Sequence, residues 1–345
     1  MTEMLKEILE QPEVLKRCYD TNRDNIKNIV KKIKEHNISS VIIAARGTSD
    51  HAGIYGKYII ECELGLPVSL ASPSVYTVYH QKVQLENSLV IGISQSGKAA
   101  DVLEVLKCAR ESGAVTVSIT NDEASPLAQG ADVHLYCDAG VEKSVAATKT
   151  CSSEMYILAQ MVAEWSNNKD LKNELLQIPD RLSEVFNEMD AISDKVERYR
   201  FINECFVLAR GINYPVAMEA ALKIQETAYV RAKAYATSDF YHGPFAMIEK
   251  DMPVIIYAPN GPTLKDTLDM VEKLKKNEAE VIVISNNEEI LEMGDSSFVI
   301  PQTSNDLVSP FYNVVIAQLF ACNLSLIKGL NPDKPRSLNK VTITK

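Results

Sequence analysis

The residues best suited to chemistry fall in a few short stretches. Ser94-Gln95-Ser96-Gly97-Lys98 follows the apolar run SLVIGIS (88–94) and precedes a segment whose apolar residues Val102, Leu103, Val105, Leu106 and Ala109 recur at helical spacing. A strand that feeds a Ser- and Gly-rich turn at a helix N-terminus offers unpaired N–H groups and hydroxyls, the donors that hold an anion. The turn matches neither GxGxxG nor GxxxxGK[ST], so it does not indicate a dinucleotide or a nucleoside triphosphate. A serine-capped βα turn without a ligand has the same pattern. A second turn of this kind, Gly47-Thr48-Ser49, follows SVIIAA (40–45), and two hydroxyl-bearing turns in one sheet can converge on one ligand.

Glu219, Lys223 and Glu226 stand at i, i+4 and i+7 after Asn213, which puts all three on one helix face. The residues around them, Ala217, Met218, Ala220, Ala221, Leu222, Ile224, Ala228 and Val230, are apolar, so the helix is expected to be buried. Charges on a buried helix need each other or a polar cavity to offset a desolvation cost of several kcal/mol. An ordinary surface Glu-Lys-Glu array is the alternative. His242 lies in Phe240-Tyr241-His242-Gly243-Pro244, where Gly-Pro fixes a turn. Imidazole exchanges protons near neutral pH, although a lone loop histidine is commonly just a surface residue. Lys340 belongs to the tail NPDKPRSLNKVTITK, which has no helical periodicity and would fray unless docked; a desolvated lysine there would be a usable nucleophile.

The elements that must position these residues alternate between short apolar runs and helices. The runs are 40–45, 67–71, 88–94, 114–120 and 132–137, then 205–210, 253–258, 280–285 and 297–301, with helices expected near 51–64, 99–112 and 144–166. Strands this apolar, separated by amphipathic helices, predict parallel sheets covered on both faces. Ser309-Pro310 reads as the N-cap and first residue of a last long helix ending near Lys328. The halves align: Arg46-Gly47 with Arg210-Gly211 and Gly97 with Gly261 give the same offset of 164, which implies a duplicated α/β unit. The expected organisation is a helical segment (1–38), a first α/β domain (39–166), a helical linker (167–200), a second α/β domain (201–329) and a tail (330–345). Each domain is expected to be a flavodoxin-like or Rossmann-like three-layer sandwich, with the site at strand carboxyl ends.

With 345 residues, 46% hydrophobic and 24% charged, the chain has the composition of an ordinary globular protein of two domains. A net charge of −10 disfavours nucleic acid and anionic membranes as partners. No uninterrupted apolar run approaches a membrane span and the N-terminus has no signal-peptide centre, so a cytoplasmic location is expected. Seven widely spaced cysteines read mostly as core residues, and five histidines without ligand spacing carry no metal signature. Neither a metal nor a cofactor is expected.

The motifs ARGTS, SQSGKAAD, VAATK, EAALKIQETAYVRAKAYATSDFYHGP and NPDKPRSLNKVT resemble the double sugar-isomerase (SIS) domain of glucosamine-6-phosphate synthase over nearly all of 40–345. The resemblance extends to stand-alone SIS-type glucosamine-6-phosphate deaminases. It implies no glutaminase half, since Thr2 stands where that half has its cysteine. It further implies phosphate binding by Ser94, Gln95 and Ser96, with Gly47, Thr48, Ser49 and the loop Val145-Ala146-Ala147 lining a sugar. Lys98 and Ala147 depart from the synthase pattern, and Lys98 would supply charge where a hydroxyl is lost. By the same resemblance Glu226 shuttles a proton between C1 and C2, His242 opens the sugar ring in the neighbouring subunit's site, and Lys340 contacts the open-chain substrate or forms an imine with the ketose; Lys223 and Glu219 join Glu226 as catalytic candidates from their shared helix face.

The implied activity is conversion of glucosamine 6-phosphate to fructose 6-phosphate and ammonia by a homodimer with shared active sites. The alternatives are the isomerase half of an aminotransferase, a fructosamine-phosphate deglycase, or a phosphosugar-sensing module. The tail is expected to act as a lid whose removal hardly changes stability.

Overall fold

The computed structural model describes residues 1–340; residues 341–345, the end of the expected lid, lie outside the described residues. The chain forms two compact units, each discontinuous in sequence. One comprises 13–142, 149–176 and 339–340; the other comprises 1–12, 143–148 and 177–338.

In the first of these, β1 (Ser40–Ala44), β2 (Val68–Leu70), β3 (Ser88–Ile93), β4 (Val115–Thr120) and β5 (Val133–Tyr136) form a parallel sheet in the order β2-β1-β3-β4-β5. Every residue of β3 and β4 is buried, which is why these strands are apolar throughout and do not alternate. The connection from β1 runs outward to β2 and that from β3 runs the other way to β4. Right-handed crossovers therefore place Thr48–Leu64 and Ala100–Glu111 on opposite faces. Helix Lys149–Trp165 packs against Thr48–Leu64, and Pro73–Thr77 and Pro126–Gly130 pack against Ala100–Glu111. On the latter side Val90, Val102, Val105, Leu106 and Leu127 form a buried cluster.

In the other unit, β6 (Glu204–Ala209), β7 (Arg231–Ala236), β8 (Pro253–Tyr257), β9 (Glu280–Ser285) and β10 (Ser296–Val299) are parallel in the order β7-β6-β8-β9-β10. This is the order of the first sheet repeated, so the duplication inferred from paired glycines holds at the level of topology. Phe206, Leu208, Phe240, Val254 and Ile256 anchor its core.

Three sequence expectations need correction. β7, of sequence RAKAYA, was missed because alternating alanines carry little strand preference; it exists by pairing with β6 from Glu204↔Arg231 onward. Ser309 is not the N-cap of the last helix, Ser309–Ile327, but its first residue. Its Oγ instead donates to Asp306 O at 2.8 Å and accepts from Asn213 Nδ2 at 2.9 Å. Finally, 306–327 is long and apolar enough to cross a membrane, a property hidden because uncharged Asn313, Gln318 and Asn323 interrupt the run. Of that window 83% is buried within the protein, as befits a core helix. Five of the seven cysteines are buried, while Cys62 is exposed and Cys108 half-buried.

Candidate active site

In the sheet β2-β1-β3-β4-β5 the direction of winding reverses between β1 and β3, and their carboxyl ends flank a crevice of the kind in which α/β proteins bind ligands. Both hydroxyl-bearing turns leave from there. β3 runs into Ser94-Gln95-Ser96-Gly97-Lys98, whose Gly97 has φ +62° and donates its N–H to Ser94 O at 2.9 Å. A Cβ on Gly97 would come 2.1 Å from Ser125 Oγ, so both the left-handed backbone and the close approach require glycine. Asn121 N donates to Gln95 O at 2.9 Å and Leu127 N to Gly97 O at 3.2 Å, stapling the turn to neighbouring elements. Ser94 is buried and Gln95 and Ser96 are half-buried. The following helix starts at Ala100, and Lys98 lies outside it with its ammonium 3.8 Å from Asp122. Lys98 is thus an exposed residue with a carboxylate nearby, and such pairs contribute about 0–1 kcal/mol.

β1 runs into Arg46-Gly47-Thr48-Ser49. Gly47 caps helix Thr48–Leu64 in a conformation (φ 57°, ψ −130°) suited to glycine. Thr48 is half-buried. Ser49 is buried, and its hydroxyl donates to Glu154 Oε1 at 2.9 Å, so its proton is spent within the protein. Asp50 follows, and burial pushes its carboxyl above the usual aspartate range, partly offset by His51 and Arg46. Arg46 Nε donates to Asp101 Oδ2 at 2.6 Å, which ties the β1 turn to the helix after β3.

The repeated switch point, between β6 and β8, is built differently. Arg210 Nε lies 3.4 Å from Asp266 Oδ2, repeating the arginine–carboxylate tie. Gly261 (φ +148°) occupies the place of Gly97, but a Cβ there would meet Asp306 rather than a serine. Burial raises the Asp306 carboxyl above its ordinary value. A carboxylate beside this glycine opposes an anion where the first sheet offers hydroxyls.

Glu219, Lys223 and Glu226 lie on helix Tyr214–Ala228 and do come together. Lys223 Nζ is 3.4 Å from Glu219 Oε1 and 2.5 Å from Glu226 Oε2. The Lys223 and Glu219 side chains are each 1% exposed and that of Glu226 is 22% exposed. Two carboxylates share one ammonium, which makes the burial of three charges tolerable. Glu226 is the member that reaches solvent. It lies in the helix's last turn, at the amino end of the second sheet, where β7 begins two residues after Tyr229. The Ser94–Lys98 turn thus leaves a strand carboxyl end, whereas Glu226 lies at an amino end, away from where the site was expected. Gln225 and Tyr229 of that last turn line a cavity of about 760 Å³ with Arg231 and Arg336.

His242 is exposed in the turn before Gly243 (φ +135°), and its N–H donates to Asp239 O at 3.0 Å. Of the loop 145–147, Ala146 is buried while Val145 and Ala147 are half-buried, and Val145 N donates to Asp333 O at 3.3 Å. Lys340 Nζ donates to Glu142 Oε2 at 2.6 Å, and the fully buried Glu142 also accepts from Thr150 Oγ1 at 2.9 Å. An ammonium held this way becomes a nucleophile only after giving up a proton, and Glu142 is the adjacent acceptor.

The expectation that the tail leaves stability untouched is corrected by its first half. Asp333 accepts from Met4 N at 2.8 Å and Glu3 N at 2.9 Å, capping helix Glu3–Leu9, and the Arg336 guanidinium lies 4.1 Å from the centre of the Tyr229 ring. Glu142, Glu154, Asp101 and Asp333 escaped sequence reasoning. Asp101 and Asp333 carried a signal, as the acids in SQSGKAAD and NPDKPRSLNKVT, whereas Glu142 and Glu154 lie in none of the motifs.

The SIS domain family matches residues 36–164 and 202–328. The glutamine–fructose-6-phosphate aminotransferase (isomerizing) of Thermococcus kodakarensis is 32% identical over 98% of this chain and 57% of its own length; the chain thus spans about half the length of the curated relatives it matches. The C-terminal domain of glucosamine-fructose-6-phosphate aminotransferase from Francisella tularensis superposes with a TM-score of 0.87 at 29% identity, covering 97% of this chain and 98% of that domain. Glucosamine-6-phosphate deaminase from Thermotoga maritima shares the fold, with a TM-score of 0.78 at 22% identity over 99% of this chain and all of that one.

Proposed function

We propose that this chain, which belongs to the SIS domain family, is an aldose–ketose isomerase of amino sugar phosphates that converts glucosamine 6-phosphate and water to fructose 6-phosphate and ammonia. The observation that carries the reading is Glu226, a carboxylate at the solvent end of a buried ion cluster whose ammonium holds it in place. A carboxylate so held is suited to proton transfer between adjacent carbons. In the proposed reaction the Ser94–Ser96 turn takes the phosphate, and His242, acting in the partner subunit's site of a homodimer, exchanges a proton with the ring oxygen. Glu226 then removes the C2 proton and returns it to C1, leaving an imine at C2. Water adds to that carbon and ammonia departs. Lys340, its ammonium held by Glu142, donates a proton to the C1 carbonyl oxygen as that becomes a hydroxyl, and takes back the proton that the C2 nitrogen loses in forming the imine. No metal or cofactor enters these steps.

A second reading is favoured by the aminotransferase relatives: the same residues would run the reaction toward glucosamine 6-phosphate with nitrogen delivered by a glutaminase. Action on a fructosamine phosphate is the third. One assay separates them. Glucosamine 6-phosphate should yield ammonia and fructose 6-phosphate stoichiometrically. Ammonia from a fructosamine phosphate alone assigns the chain to the deglycases, and glucosamine 6-phosphate formed only when a glutaminase is added assigns it to the synthases. Turnover of none of these removes the enzymatic reading in favour of a sensor.

A further inference from the structure

We propose that Thr150 is a positioning residue for the reaction: acting through the Glu142 carboxylate, it sets where the Lys340 ammonium stands. The inference rests on the proposed reaction, in which Lys340 exchanges protons with the substrate. Thr150 is the second residue of helix Lys149–Trp165, in the turn whose backbone N–H groups have no acceptor within a helix. Glu142, from the chain before the helix, supplies the acceptor. Its Oε1 accepts from Thr150 N at 3.2 Å and its Oε2 from Thr150 Oγ1 at 2.9 Å, so one residue grips both carboxylate oxygens. The grip is made in the interior, where the Glu142 side chain is wholly buried and Thr150 is 1% exposed. Ser153, three residues on, returns its hydroxyl to Lys149 O at 2.9 Å, the ordinary use of such a group within a helix. Thr150 instead spends its hydroxyl on a carboxylate outside the helix.

The consequence lies at Oε2. Lys340 Nζ donates to that same oxygen at 2.6 Å. Two donors on one oxygen must keep to separate lone-pair directions, so the place of the Thr150 hydroxyl restricts the place of the ammonium. Lysine carries its charge on a flexible four-carbon stem, and the Lys340 side chain is 25% exposed, so its own packing does not define where the charge sits. A carboxylate gripped at both oxygens does. The β-branch of threonine limits χ1, which keeps the hydroxyl itself in a fixed direction. Valine has nearly the same shape and keeps the backbone bond to Oε1, but it removes the bond that holds Oε2 beside Lys340. Serine keeps that bond and drops only a methyl group.

The test compares Thr150→Val with Thr150→Ser in the whole protein by two measurements. With glucosamine 6-phosphate, Thr150→Val should lower kcat about tenfold, the scale of one hydrogen bond to a charged group, and leave KM within about twofold. Thr150→Ser should recover most of the loss. The second measurement needs no turnover: Lys340 is acylated with a limiting amount of an amine-directed reagent at fixed pH and followed by mass spectrometry. Thr150→Val should speed that acylation roughly threefold or more, as expected for a loosened ion pair, and Thr150→Ser should return it toward the wild-type rate. If Thr150→Val does not fold, Thr150→Ala makes the same comparison. A purely structural role would lower the urea midpoint while leaving kcat per folded chain and Lys340 acylation where they were, and that result overturns the proposal. So does a serine variant as impaired as the valine one, or acylation that is unchanged or slower in Thr150→Val. Faster acylation in Thr150→Val, with no turnover of glucosamine 6-phosphate even by the wild type, supports the hold of Thr150 on Lys340 and overturns the proposed reaction instead.

Discussion

Arg46 and Asp101, 55 residues apart in the sequence, join the turn after β1 to the helix after β3. The guanidinium Nε donates to Asp101 Oδ2 at 2.6 Å, and the other carboxylate oxygen accepts from Val102 N at 2.9 Å. Asp101 is almost fully buried while the Arg46 side chain is half exposed, so the arginine presents charge at the mouth of the β1/β3 crevice from a fixed anchor. The duplicated half keeps the arrangement in looser form, Arg210 with Asp266 at 3.4 Å.

The contrast gives the first prediction. Asp101→Asn should weaken inorganic phosphate binding about tenfold, because the amide holds Arg46 less firmly and loses a charge-assisted bond of roughly 1.5–3 kcal/mol. Asp266→Asn should leave phosphate affinity within about twofold, because Asp306 beside Gly261 already disfavours an anion there. Equal effects of the two substitutions, measured by titration with phosphate, would mean that the halves do not differ in anion binding.

Glu226→Gln should retain the fold and phosphate affinity and lower turnover of glucosamine 6-phosphate by roughly a hundredfold or more, the usual consequence of losing a general base. The amide keeps the shape and a bond to Lys223 but cannot take the C2 proton. Near wild-type turnover, with normal exchange of solvent hydrogen at C1, would remove Glu226 from the chemistry.

Complementation tests the shared site. Glu226→Gln and His242→Asn chains, each inactive alone, should regain about a quarter of wild-type activity after subunit exchange at equal amounts, since half the dimers are hybrids and each hybrid has one intact site. Activity that stays at the level of the separate variants would place His242 and Glu226 in the same subunit's site or leave His242 without a role.

Asp333→Ala should lower stability by about 1 kcal/mol, the usual cost of losing a helix cap, because Asp333 satisfies two backbone donors at the start of helix Glu3–Leu9. Removal of everything after Leu330 should cost at least as much. A truncated protein with an unchanged urea midpoint would show that this cap contributes nothing.

His134 predicts a pH dependence. Burial lowers its imidazole below the ordinary value of 6.5, against the opposing Ser118 hydrogen bond and the Glu123 and Asp122 carboxylates. In the region just below 6.5 the unfolded chain binds a proton that the folded chain does not, so stability falls as pH drops through it. His134→Gln should flatten the decline in urea midpoint between about pH 7.5 and about pH 5.5. A variant that declines as steeply as the wild type would assign the effect to other groups.

Much of this protein was determined by local sequence. Residues 88–93 and 115–120 are buried on both faces and hence uniformly apolar, so strand, parallel pairing and helix crossover were all legible from residue type and spacing. The repeat of Arg46-Gly47 and Gly97 at Arg210-Gly211 and Gly261 announced the duplication, because a left-handed or crowded backbone position restricts the choice of residue. The Glu219–Lys223–Glu226 cluster was equally readable, since all its members lie on one helix whose geometry fixes their separation. Tertiary structure alone decided what depends on partners far apart in the chain. It gave β7 its identity through β6, turned Ser49 toward Glu154, paired Lys340 with Glu142 and set Asp333 on the first helix. Each of these contacts joins groups from separate segments, and a side chain's own sequence neighbourhood carries no record of a hydrogen-bond partner that only folding brings within 3 Å.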